Sequence, residues 1–138
     1  AMNLTNFLCQ AHSGWRYIVI LVLVLALVKL LIGLLGKQRW SRLDQQLGVA
    51  TPIVITVQWL LGIVLWALAP AAWFLNRGSV NFWEHATTMT LAVAASHIGW
   101  SRAKRASGDA GKFRAAFWGF LIAGLLVAVG VARITGWM

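Results

Sequence analysis

The sequence predicts an all-α integral membrane protein: a four-helix up-down-up-down bundle with both termini on the outer, periplasmic side. Hydrophobic residues make up 60% of the 138 positions and charged residues only 11%. The apolar residues gather in four blocks of near membrane-spanning length, and the basic residues alternate between connectors. Soluble domains carry about a quarter charged and roughly 45–50% apolar residues, and so short a chain has too little interior to hide the excess. The surplus apolar surface must face lipid. A soluble enzyme, a disordered chain and a free nucleic-acid binder are thereby excluded, despite a formal charge of +9. One cysteine, Cys9, excludes an intrachain disulfide framework and an all-cysteine zinc or iron–sulfur site.

The spans fall at about 15–36, 49–69, 82–100 and 113–135, within one transmembrane domain, 1–138. A helix rises about 1.5 Å per residue, so some 20 residues cross a ~30 Å hydrocarbon layer. Four such segments cannot close a barrel, which leaves helices to satisfy the backbone. The first block is expected to be mature structure, since it runs long, follows no basic segment and lacks a small-residue cleavage site. Pro52, placed in the first turn of span two, signals a helix start.

Orientation comes from the connectors, because basic residues in short loops stay on the cytoplasmic side. Loop one holds Lys37, Arg39 and Arg42; loop three holds Arg102, Lys104, Arg105, Lys112 and Arg114; loop two has only Arg77. Lys29 sits within span one and is expected to snorkel towards the cytoplasmic interface. Trp15, Trp73, Trp83 and Trp137 are expected at the outer interface, and Trp40, Trp100 and Trp118 at the inner one. Trp59 and Trp66 lie within span two and must pack against something. Loop two, with Trp73 and Phe74, is expected to lie on the membrane surface.

Polar residues within or at the spans are His12, Arg16, Lys29, Gln58, Glu84, His85, His97 and Arg133. Such groups are expensive in lipid and are candidates for function. His12 precedes the apolar part of span one by about a turn, and His85 begins span three. Alternate spans run the same way, so both histidines fall near the outer surface at similar depth. That is the placement two axial haem ligands require, one from each face. Arg16, Arg77 and Arg133 lie on the same side and could bind haem propionates, or lipid head groups instead. No C-x-x-C-H sequence exists for covalent attachment.

His97 lies twelve residues after His85, about 18 Å along the helix, so the two cannot share a metal. Its alternatives are a pigment magnesium, a quinone head group or a neighbouring helix. Glu84 is the one acid at a span, with Arg16 or His12 as expected partners. Gln58 must bind another helix, a water or a cofactor edge. Met89, a turn after His85, could line a haem edge or fill core. Gly33, Gly62, Gly99, Gly119, Gly124 and Gly130, with Ala92, Ala95 and Ser96, let helices approach closely.

The string His12-Ser13-Gly14-Trp15-Arg16, then Leu43-Asp44, Gln58-Trp59-Leu60-Leu61-Gly62, Glu84-His85 with Met89, and His97-Ile98-Gly99 before a basic stretch resembles a family of small bacterial four-helix membrane proteins labelled cytochrome-b-like. The resemblance covers most of the chain, in order, although loop two is short for that pattern. It implies that His12, Gln58, Glu84, His85 and His97 are motif positions. The expected function is a b-type cytochrome-like electron-transfer subunit of the bacterial inner membrane. One haem b would lie between helices one and three, with His12 and His85 on the iron and a quinone as electron partner. The alternative is a non-redox accessory subunit, structural or binding (bacterio)chlorophyll, in a larger respiratory or photosynthetic complex. Either way the expected neighbours are lipid and other membrane subunits or further copies of the chain, with no nucleic acid. No catalytic residue is expected, because Ser13 and Ser96 lack triad partners and Glu84 alone cannot form an acid–base pair.

Overall fold

A computed structural model, which describes residues 4–68 and 80–134, is all-helical. Its elements are α1 (Leu4–Leu35), α2 (Arg42–Leu68), α3 (Val80–Arg105) and α4 (Asp109–Ile134). Each helix packs on its sequence neighbours and α4 closes the ring on α1. Helices α1 and α3 therefore face each other across the diagonal. Pro70, Trp73, Phe74 and Arg77 of loop two, and Trp137, lie outside the described residues.

Each helix starts or ends beyond the apolar block that predicted it. Hydropathy marks where a helix can enter lipid, whereas capping marks where it begins. Ser41 and Asp44 show the difference. The Asp44 carboxylate accepts from the Ser41 amide and hydroxyl, both at 2.8 Å, and the Asp44 amide donates to Ser41 Oγ at 3.2 Å. This reciprocal box starts α2 at Arg42, seven residues before the predicted span. Pro52 is consequently inside the helix and not in its first turn. With no N–H of its own, it leaves the Gly48 carbonyl without a helical donor. At the end of α1, Lys37 takes a left-handed φ of 51°, and Gln38 N donates back to Gly33 O at 3.0 Å. That bond closes a Schellman-type cap.

Among the described residues, three helices, not four, are long and apolar enough to cross a membrane: Asn6–Leu35, Arg42–Leu68 and Asp109–Arg133. Helix α3 has 26 residues, about 39 Å, so length is not what sets it apart. Glu84, His85, Thr87, Thr88, Thr90, Ser96 and His97 dilute its apolar content.

The core is a pair of seams. Val19, Leu23, Ala26 and Leu30 of α1 are buried at spacings of four and three, and so are Phe113, Ala116, Phe120, Ala123 and Val127 of α4. This is the knobs-into-holes rhythm of packed helices. The outward faces are equally apolar, with Leu21 at 57% and Leu125 at 59% exposure, which would be costly against water.

Helices α3 and α4 meet most closely at Gly99 and Gly119, both presenting bare backbone. A Cβ on Gly99 would lie 2.7 Å from Gly119 Cα. Gly14 has open space around it. Gly99→Ala should therefore lose about 1–3 kcal/mol by forcing the helices apart, whereas Gly14→Ala should gain up to about 1 kcal/mol from helix propensity. Unfolding of the two variants in detergent would measure both.

Candidate functional site

The polar side chains sort into two layers, one at each end of the bundle. At the end formed by loops one and three, Lys29 Nζ bonds Asp44 Oδ1 at 2.7 Å; Asp44 is fully buried. The lysine does turn towards the predicted end, but it stops on a carboxylate within the fold and lies over the Phe113 ring at 5.7 Å. Trp40 stacks on Trp100 with centroids 6.2 Å apart and tilts against Phe113 at 5.0 Å. Loop one is thus folded over the ends of α3 and α4, and these rings pack against protein. Trp15 likewise donates to the Val54 carbonyl at 2.8 Å.

All four helices contribute to the opposite layer. Gln58 on α2 donates to the His12 backbone carbonyl at 2.8 Å. The His12 ring lies against Gly62, where a Cβ would come within 3.1 Å of its Cε1. On the other diagonal helix, His85 Nδ1 sits 3.3 Å from the Gly130 carbonyl of α4. A carbonyl only accepts, so Nδ1 carries the proton and Nε2 keeps its lone pair. A Cβ on Gly130 would collide with the Met89 methyl. Each imidazole therefore rests on a glycine of the next helix.

Two buried polar atoms of this layer have no hydrogen-bond partner, His12 Nδ1 and Gln58 Oε1. Unpaired buried polar atoms are rare in folded proteins and mark where a water, ion or ligand belongs.

The remaining predicted site residues have other partners. Glu84 pairs with Arg133 at 2.8 Å, with both side chains 42% exposed, and not with Arg16 or His12. Residue order alone cannot reveal this, because the partner comes from α4, 49 positions away. Arg16 turns back along its own helix, donating from Nε to Ser13 O at 3.2 Å. His97 is far from this layer and bonds Thr56 Oγ1 at 2.8 Å, the neighbouring-helix alternative. Trp59 donates to Thr90 Oγ1 at 3.0 Å. Sequence reasoning passed over Thr56, Thr90 and the Lys29–Asp44 pair. Only the last left a readable signal, the Ser-x-x-Asp spacing of Ser41 and Asp44.

Among the described residues, no three or more His, Cys, Asp or Glu side chains converge as a metal site. A pair of imidazoles is the largest ligand set on offer. No family model, curated protein or solved structure matches the chain.

The two ion pairs should respond very differently to mutation. Asp44→Ala strands a lysine and removes a helix cap, for a loss of about 3 kcal/mol or more. Glu84→Gln, at an exposed pair, should cost under about 1 kcal/mol. Thermal unfolding of both variants in detergent is the check.

Proposed function

We propose that the chain is a membrane-embedded electron-transfer subunit holding one b-type haem between α1 and α3, with His12 and His85 as axial ligands. The observation that carries this is the pair of imidazoles on diagonal helices in one layer. Neighbouring helix axes lie about 8–10 Å apart, so a square bundle has a diagonal of about 11–14 Å. That is room for two imidazoles with a metal between them, which adjacent helices do not offer. His85 already has the arrangement of a ligating histidine, with Nδ1 held by a carbonyl and Nε2 free. The His12 ring packs on Gly62 and keeps a buried Nδ1 without a partner.

Haem would supply reversible one-electron chemistry at the iron. The residues of the chain bind, orient and shield it. Gly62 and Gly130 leave the space in which each imidazole lies flat against a neighbouring helix. Gln58 ties α2 to α1 at the ligand itself. Arg16 has used Nε on Ser13, and its remaining guanidinium N–H groups suit a propionate. Arg133, already paired with Glu84, is the weaker candidate. Met89 packs beside His85 on Gly130 and lines the pocket edge.

The same reading makes the bundle a four-span inner-membrane protein, with α3 as the fourth span because its polar side chains turn to the site or to other helices. The basic residues of loops one and three, brought to one end by the antiparallel packing, favour the cytoplasm for that end and the outer side for both termini. The motif resemblance to cytochrome-b-like proteins supports the haem, and quinone remains the expected electron partner.

Reduced-minus-oxidised absorbance of the purified protein tests the proposal. A b-type band should appear in the native chain, disappear from His12→Ala and from His85→Ala, and persist in His97→Ala. A chain with no band, or a band that survives loss of both His12 and His85, would overturn it.

A further inference from the structure

Gln58 is tied to His12 through only half of its amide. Its Nε2 donates to the His12 backbone carbonyl at 2.8 Å. A carbonyl only accepts, so the amide nitrogen is the atom on His12 O and the amide oxygen is left over. That oxygen, Oε1, is buried without a partner, and so is Nδ1 of the His12 ring. Thr56 and Trp59, which flank Gln58 on α2, have completed their bonds to α3.

The two orphaned atoms belong to neighbours on one face of α2. Gln58 and Gly62 stand one turn apart, with Cβ positions about 5–6 Å from each other. The His12 ring lies on Gly62, its Nδ1 3.6 Å from where a Cβ would stand. The Gln58 amide meanwhile reaches the backbone of the same histidine. A gap of this size between two polar atoms is what one water spans, and buried waters lie where such groups need partners.

We propose that one buried water joins His12 Nδ1–H to Gln58 Oε1, making Gln58 the positioning residue that fixes the His12 tautomer and tunes its strength as an axial ligand. The inference rests on the haem reading above and deepens it. The water accepts from Nδ1–H and donates to Oε1, which satisfies both orphaned atoms. Nε2 keeps its lone pair and is the nitrogen offered to the iron. His85 reaches the same tautomer directly, with Nδ1 3.3 Å from the Gly130 carbonyl.

The two ligands are therefore backed differently. Behind His85 stands a backbone carbonyl, which no side-chain replacement removes. Behind His12 stands a side chain from another helix, so this is the ligand that sequence can adjust. A hydrogen bond accepted from Nδ1–H makes the imidazole a stronger donor and favours ferric iron. Gln58 thus holds the potential lower than an apolar residue at this position would.

The test compares Gln58→Leu, which removes the acceptor, with Thr56→Val, which removes an interhelical bond of the same helix away from the two ligands. In the haem-loaded protein, Gln58→Leu should raise the midpoint potential and weaken haem retention about 10–100-fold; Thr56→Val should do neither. Long-range proton–nitrogen NMR of the three histidines in the haem-free chain reads the ring itself. His12 Nδ1 should be protonated and hydrogen-bonded in the native chain, and its signal should move in Gln58→Leu but not in Thr56→Val. A native His12 protonated on Nε2 instead, a signal indifferent to Gln58→Leu, or a potential that this variant leaves unmoved or lowers would each overturn the proposal. Failure of the haem reading is seen separately, as a native chain with no b-type band whose His12 signal still responds to Gln58→Leu.

Discussion

A polar group on a helix in an apolar bundle has no water to fall back on, so it must find its partner on another helix. Lys29 shows how strongly this shapes the fold. Its ammonium ends 2.7 Å from Asp44, and the same carboxylate caps α2 through Ser41. One buried acid thus neutralises a half-buried cation, begins a helix and ties α1 to α2. Around it, Phe113 lies against Gly33 and Trp100 against Gly48, so glycines admit the rings that seal this end. The opposite end follows the same rule with imidazoles, an amide and the Glu84–Arg133 pair.

Much of this was legible in the sequence. Four apolar blocks gave four helices in the right order, and the shared depth of His12 and His85 placed both in one layer. The glycines were read as packing positions, and Gly99 against Gly119, backbone on backbone, is one example. What hydropathy could not show was where helices begin, since caps lie in polar sequence. This is why Pro52 proved internal to α2. Nor could it show which way a side chain turns about its helix. Arg133 meets Glu84, and Thr56 meets His97, through helix rotations that only packing determines. The third apolar block was read as a span like the others, whereas α3, with Glu84, His85, Thr90 and His97 along it, is not among the helices apolar enough to cross a membrane.

The site differs from the rest of the bundle in being incompletely satisfied. Lys29, Trp15, Trp59 and His97 each have a partner on a neighbouring helix. His12 Nδ1 and Gln58 Oε1 do not, although both are buried. His85, at the same level, is held through one nitrogen by an acceptor that leaves the other free. A layer that orients two imidazoles across the diagonal, backs each with glycine and leaves buried polar atoms unpaired is built to receive something. Among the described residues no third His, Cys, Asp or Glu joins the two imidazoles as a metal-binding group.

Low-temperature electron paramagnetic resonance of the oxidised protein addresses this most directly, because it reports the axial ligands of ferric haem themselves. Two imidazoles should give a low-spin signal that is lost when either His12 or His85 is replaced by alanine. A native signal that is high-spin, or that is unchanged by either replacement, would contradict the account.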